Sequence, residues 1–135
     1  MNYRFPVRVY YEDTDAAGIV YYANYFRFME RARTEWLREL GFEQDEVRQQ
    51  HGVVFVVRSA TANYRAPAKF NDLLWVTVGM NQHSRTAMTI EQNIYRQKDD
   101  RLLCKGEISI VCVDSDSFRP RPIPAAILEK IKNAE

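Results

Sequence analysis

The chain has 135 residues, with 19 Lys plus Arg against 18 Asp plus Glu and a net charge of +1. Hydrophobic residues make up 46% and aromatics 13%, so residues 1–135 read as a single domain with a packed core rather than a disordered segment. A charge balance this even supplies no strong basic field, which argues against nucleic acid as a partner.

Residues 3–11 alternate, with Phe5, Val7, Val9 and Tyr11 on one side and Arg4, Pro6, Arg8 and Tyr10 on the other. That pattern predicts a half-buried strand, and Pro6 places it at a sheet edge or a strand start. A polar turn, Glu12-Asp13-Thr14-Asp15-Ala16-Ala17-Gly18, leads into the apolar run Ile19-Val20-Tyr21. From about Asn24 to Leu40 the period changes: Tyr25, Met29, Ala32, Trp36 and Leu40 mark one helix stripe, widened by Phe26, Phe28 and Leu37. Asn24 is a candidate N-cap and Gly41 a candidate C′ residue. The broad apolar arc predicts a helix wrapped by a sheet. Residues 43–50 are polar and read as a short helical turn.

After His51-Gly52 the pattern is that of strands, over Val53–Tyr64, Leu73–Met80, Thr86–Arg96 and Leu102–Val113, with Gln97-Lys98-Asp99-Asp100 as a hairpin loop. Pro120, Pro122 and Pro124 forbid regular pairing before a terminal helix near Ala125–Lys132. Short connections make the strands mostly antiparallel. The expectation is an α+β domain: an antiparallel sheet of about five strands curled around one long helix.

Several chemistries are excluded early. No apolar run approaches the ~18 residues of a membrane span. The segment Met-Asn-Tyr-Arg-Phe-Pro-Val-Arg at the start has no hydrophobic signal core, so a cytoplasmic location is expected. Cys104 and Cys112 lack CxxC spacing and have only His51 and His83 as soft co-ligands, so no metal site is expected. On one strand they stand roughly 27 Å apart, far beyond the ~7 Å a disulfide needs, and they are expected to be free thiols. The glycines at 18, 41, 52, 79 and 106 form neither GxG nor GxxxxGK, which argues against dinucleotide and P-loop binding. No cofactor is implied.

The chemistry concentrates between Tyr10 and Tyr25. Three acids fall within four positions, Glu12, Asp13 and Asp15, in a loop flanked by apolar residues. A loop aspartate commonly does no more than cap backbone amides. Here, however, Gly18 permits close backbone approach, and the loop runs into a helix start whose free N–H groups favour developing negative charge. A carboxylate facing such amides suits acyl transfer, as nucleophile or general base opposite oxyanion donors.

The string Tyr11-Glu12-Asp13-Thr14-Asp15-Ala16-Ala17-Gly18-Ile19-Val20-Tyr21-Tyr22-Ala23-Asn24-Tyr25, with Glu30-Arg31-Ala32-Arg33-Thr34-Glu35-Trp36-Leu37 on the helix, resembles the signature of the 4-hydroxybenzoyl-CoA thioesterase family, nearest its Tol–Pal-associated branch. The resemblance implies a hotdog fold, hydrolysis of an acyl-CoA to acid and CoA, and assembly into homodimers or homotetramers; one strand layer over one helix leaves its edge strands and aromatic surface unsatisfied, so sites at subunit interfaces are expected. Carried over by position, it places the catalytic aspartate on Asp15 and the oxyanion donor on the backbone N–H near Tyr22. Many members of that branch have His where this chain has Tyr22; the backbone donor does not depend on that side chain.

Gly18, Tyr25 and Asn63 are candidate substrate contacts, and Arg65 beside Asn63 is a candidate for the pantetheine channel. Arg85, Arg119 and Arg121 are candidates for the coenzyme phosphates, because arginine forks match phosphate oxygens and the Arg-Pro-Arg-Pro segment fixes their spacing. Glu35 is a rival catalytic acid, but Arg31 and Arg38 stand within one helical turn and favour an ion pair. No serine lies in GxSxG, and His51 and His83 read as loop residues. Two other functions fit the same loop: hydrolysis of acyl-carrier-protein thioesters and non-catalytic acyl-CoA binding. The first is disfavoured by the lack of basic charge, the second by the presence of Asp15.

Overall fold

The structure, a computed structural model, describes residues 3–134; Met1, Asn2 and Glu135, the ends of the expected domain, lie outside the described residues. Five strands, β1 (Tyr3–Arg8), β2 (Val53–Tyr64), β3 (Leu73–His83), β4 (Ala87–Arg96) and β5 (Arg101–Asp114), form one antiparallel sheet in the order β1-β3-β4-β5-β2. Three helices accompany it: α1 (Asn24–Glu39), α2 (Gln44–His51) and α3 (Ala125–Ala134). This is the expected sheet curled around one long helix. β1 is an edge strand, where Pro6 costs no interior ladder bond. The chain runs from that edge through α1 and α2 to β2 on the opposite edge, so α1 spans the sheet between them. Among the described residues, no helix is long and apolar enough to cross a membrane.

The first strand is shorter than the alternation suggests. It ends at Arg8, and Tyr11–Asp13 form a single 3-10 turn, leaving Tyr11 79% exposed rather than on the buried face with Val7 and Val9. The helical reading holds over α1, whose Tyr25, Phe28, Met29, Ala32, Trp36 and Leu37 are buried against the sheet. Asn24 is not the N-cap but the first helical residue: its Nδ2 donates to the Asp13 carbonyl at 2.9 Å, tying the helix start to the acidic loop. The C-terminus closes in a Schellman motif, with Gly41 at φ +97°, its N–H on the Arg38 carbonyl at 2.9 Å and the Phe42 N–H on the Leu37 carbonyl at 2.8 Å. Residues 43–50 form more than a turn, because α2 runs to His51; that histidine therefore ends a helix, and His83 ends a strand rather than lying in a loop.

The helix packs tightly on the sheet at Gly106 of β5. A Cβ there would lie 2.5 Å from the Met29 Cε and 2.9 Å from the Gln92 carbonyl oxygen. Gln92, fully buried, sits on the helix side of β4 among apolar neighbours. Its Nε2 donates to the Met29 carbonyl at 2.9 Å, and its Oε1 accepts from Arg33 Nη1 at 2.8 Å. Burial draws the Arg33 guanidinium below its usual pKa, and Glu30 pulls the other way. On the outer surface, Glu35 pairs with Arg38, which also holds Glu43 at 2.8 Å, so Glu35 is engaged in the expected ion pair.

Cys104 and Cys112 are free and buried on β5. Burial pushes the Cys104 thiol up to about 11 and raises Cys112 as well, so both stay protonated and unreactive near neutrality. A thiol reagent is expected to react slowly with native protein and to titrate both groups once the unreduced chain is denatured. Recovery of no thiol from a denatured monomer would contradict this.

Candidate active site

The acidic loop is built from short-range bonds. Asp13 Oδ2 accepts the Tyr10 N–H at 2.8 Å, its main-chain carbonyl accepts the Tyr21 N–H at 2.9 Å, and the Thr14 hydroxyl donates to the Tyr11 carbonyl at 2.7 Å. Asp13 thus joins the 3-10 turn to the entry of α1. Residues 15–18 then turn back tightly. The Gly18 N–H donates to the Asp15 carbonyl, the Asp15 N–H donates to the Ile19 carbonyl, both at 3.0 Å, and Gly18 takes φ +79°. Aspartate at the first and glycine at the fourth position are the residues such a turn favours. Its far arm is pinned to the segment before β3 by the Val20 N–H on the Ala68 carbonyl at 2.9 Å.

Asp15 is exposed at the tip of this turn. Its Oδ1 accepts the Ala17 N–H at 2.9 Å, the capping contact common to loop aspartates. Its other carboxylate oxygen has no partner among the described residues. The Tyr21 phenol is shifted upward, mainly by its hydrogen bond with the Tyr22 phenol, and least by the Asp15 charge acting in the same direction. Just beyond, the backbone N–H groups of Tyr22 and Ala23 donate to no backbone carbonyl among the described residues. The segment thus carries a carboxylate held through one oxygen and, at the helix start that follows it, two N–H groups with no backbone acceptor among the described residues.

Around that entry lies a tyrosine cluster. Tyr22 meets Tyr21 at 4.9 Å and Tyr64 at 6.3 Å between ring centroids, and Tyr64 meets Tyr25 at 5.4 Å. Tyr25 is only 4% exposed; its hydroxyl accepts the Ala68 N–H at 3.1 Å, and burial raises its pKa. It braces the segment on which Val20 rests. The Tyr64 hydroxyl donates to the Tyr22 carbonyl at 3.2 Å. Tyr64 was not legible as a site residue, because its contact spans 42 positions and no local pattern announces it.

The remaining candidates fall into two groups. Asn63 neighbours Tyr64 on β2 but lines the outer face of the sheet with Thr61, Glu91, Lys105 and Glu107, where its Oδ1 accepts from Arg65 Nε. Arg85, Arg119 and Arg121 gather at the opposite end of the sheet. The Ile123 N–H bonds the Arg85 carbonyl at 2.9 Å and the Arg121 N–H bonds the Cys112 carbonyl at 2.9 Å. Tyr64 pairs with Cys104, and Cys112 lies eight residues further along β5, so this basic end is roughly 27 Å from the tyrosine cluster within one chain. Arg121 is partly engaged already, donating to the Gly52 carbonyl at 3.1 Å and to Asp114 at 3.2 Å. Asp114 is held below the usual carboxylate range chiefly by the N–H groups of Ser117 and Asp116. Arg85 and Arg119 are exposed.

This sheet, helix and loop have clear counterparts. The family described as the thioesterase-like superfamily matches residues 9–131. The chain belongs to that superfamily, and its fold is the hotdog fold. It is 42% identical over 130 residues to the acyl-CoA thioester hydrolase YbgC of Escherichia coli O157:H7, covering 96% of each chain. It is 39% identical over 126 residues to the acyl-CoA thioesterase YbgC of Haemophilus influenzae, covering 93% of this chain and 91% of that one. In architecture it matches the crystal structure of a 4-hydroxybenzoyl CoA thioesterase mutant complexed with 4-hydroxybenzoyl CoA, with a TM-score of 0.88, 23% identity, and coverage of 96% of this chain and 97% of that one.

Proposed function

We propose that the chain is an acyl-CoA thioesterase that hydrolyses its substrate to a free carboxylic acid and CoA, with Asp15 as the reacting carboxylate. The observation that carries this reading is that Asp15 is held through one oxygen only, while the N–H groups of Tyr22 and Ala23, at the helix start its loop runs into, meet no backbone acceptor among the described residues. Those amides polarise the thioester carbonyl and stabilise the oxyanion as the carbon becomes tetrahedral. Asp15 then has two routes. As nucleophile it adds to the carbonyl carbon, the C–S bond breaks, CoA leaves as the thiolate and is protonated, and water hydrolyses the resulting anhydride. As general base it takes a proton from water while the water oxygen adds to the same carbon; the tetrahedral intermediate then breaks its C–S bond, and the CoA thiolate leaves and takes up the proton that Asp15 accepted. The two relatives with acyl-CoA thioester substrates in their names support the substrate class, and the even charge of the chain disfavours an acidic carrier protein. The test is thiol release from short, long and aromatic acyl-CoAs; no hydrolysis of any of them would overturn the reading.

The working unit of this proposal is a cytoplasmic homodimer or homotetramer. β2 has one edge unpaired and exposes Val56 and Val57, the feature of a strand that another chain covers. The two ends of β2 differ in chemistry: Tyr64 marks the Asp15 end, and Gly52, just before Val53, holds Arg121. Antiparallel pairing of two β2 edges about their middle sets the arginine end of one protomer beside the Asp15 end of its partner. Arg85, Arg119 and Arg121 then bind coenzyme phosphates across the interface, with Gly18 nearer the acyl end and Asn63 on the outer face of the sheet. Arg119→Ala is expected to raise KM severalfold with kcat retained, and to lose less on a dephospho-CoA thioester if it holds the 3′-phosphate. Equal losses on both substrates would move it off that phosphate. Light scattering that finds a monomer at micromolar concentration would remove the shared site.

A further inference from the structure

We propose that Tyr64 is a positioning residue for this hydrolysis: its phenol aims and polarises the peptide unit that presents the Ala23 N–H to the substrate. The proposal rests on reading the Asp15 loop as the hydrolytic site.

The Tyr64 hydroxyl donates to the Tyr22 carbonyl at 3.2 Å. That carbonyl and the Ala23 N–H are opposite ends of one planar trans peptide, so a bond that fixes one end aims the other. Helix bonding does not hold this unit. Tyr22 lies outside α1; the Asn24 N–H goes back to the Tyr21 carbonyl at 2.8 Å and the Phe26 N–H to the Ala23 carbonyl at 3.2 Å. Among the described residues, the Tyr22 carbonyl is bonded by the Tyr64 phenol and by no backbone N–H. Donation to the carbonyl also draws electrons along the amide and strengthens the N–H at its other end, as in any chain of hydrogen bonds. The effect is largest when the N–H meets an oxyanion, which favours the transition state over the bound thioester.

The phenol is itself held in place. Its ring rests on Tyr25 at 5.4 Å and meets Tyr22 edge-on at 6.3 Å and 83°, and Tyr25 is anchored on the Ala68 N–H. A phenylalanine at position 64 would keep these ring contacts and lose only the donor. Burial, with smaller effects from Cys104 and Tyr22, raises the Tyr64 phenol above its ordinary value, so it remains a proton donor throughout the neutral range.

The test uses the full chain with one acyl-CoA that the wild type hydrolyses, and compares wild type, Asp15→Asn, Tyr64→Phe and a variant with 3,5-difluorotyrosine at position 64. Tyr64→Phe is expected to lower kcat about tenfold, less than the 10²–10³ of deleting an oxyanion donor outright, with KM within about twofold and an unchanged thermal midpoint. The fluorinated phenol ionises near neutrality, so its kcat should fall as the phenol becomes a phenolate, adding a limb to the pH profile that a role in packing alone would not produce. A Tyr64→Phe kcat within about twofold of wild type, or no new limb, overturns the proposal. If Asp15→Asn is inactive while Tyr64→Phe is unaffected, only the role of Tyr64 falls. If Asp15→Asn retains full activity, the reading of the loop falls and the proposal goes with it.

Discussion

Asp15→Asn is expected to lower kcat for acyl-CoA hydrolysis by ~10²–10⁴-fold, the range for losing a positioned acid–base group, while acyl-CoA still binds. The substitution keeps an oxygen to accept the Ala17 N–H at 2.9 Å, so the turn has no reason to open. What it removes is the negative, basic oxygen that has no partner among the described residues. Asp13→Asn is the internal control. Asp13 works through loop structure, with Oδ2 on the Tyr10 N–H and its main-chain carbonyl holding both Tyr21 and Asn24. An asparagine there can still accept the first bond and cannot disturb the carbonyl, so a smaller loss is expected. Tyr22→Phe should matter little, because the proposed donors there are backbone amides. The measurement is steady-state thiol release by each variant. An active Asp15→Asn beside a dead Asp13→Asn would reverse the assignment within Asp13-Thr14-Asp15, and two active variants would end the mechanism.

Phe28→Ala should cost about 3–5 kcal/mol of folding stability, as expected when a large aromatic is cut from a closed core. Phe28 is 1% exposed and meets Tyr25 edge-on at 6.2 Å and 83°. Its removal leaves a cavity on the face of α1 that the curled sheet cannot close without moving strands. It also loosens Tyr25, whose hydroxyl holds the Ala68 N–H, while the Ala68 carbonyl holds Val20 at the end of the Asp15 turn. Activity should therefore fall at temperatures where the variant is still folded. Urea denaturation followed by circular dichroism gives the stability. A loss below ~1 kcal/mol would mean that this face of α1 is not the seat of the core.

How much of this was legible in the sequence depended on the range of the interaction. The stripe on α1, the Gly41 terminus and the alternation in β4 and β5 are local consequences of period and backbone preference, and they stand with boundaries moved by a residue or two at most elements. The exceptions have physical reasons. Val9 and Tyr11 continue the alternation of β1, but the side chain of Asp13 draws the Tyr10 N–H into a 3-10 turn and ends the strand. Asn24 is a good capping residue by type, yet its amide is taken by the Asp13 carbonyl. Gln92 and Tyr64 carried no signal, because their roles arise only when β4 and β2 come to lie against α1. Similarly, the sequence brings Arg85, Arg119 and Arg121 to mind as one group, and backbone bonds do gather them, but strand order decides that they gather at the far end from Asp15.

The close approach at Gly106 sets a tolerance for the site. α1 is an unbroken rod, and Met29, the residue seated on Gly106, lies only five positions from its start, roughly 7.5 Å along the axis. A displacement of the helix at Met29 is therefore carried to its first turn, Asn24 and Tyr25, like the movement of a lever near its tip. The loop bearing Asp15 hangs on that first turn, through Asn24 on the Asp13 carbonyl and through Val20 on Ala68, which Tyr25 holds in turn. The absence of a side chain at position 106 thus acts as a gauge block: it sets the seat of α1 on the sheet, and with it the footing of the Asp15 loop, from a residue outside that loop.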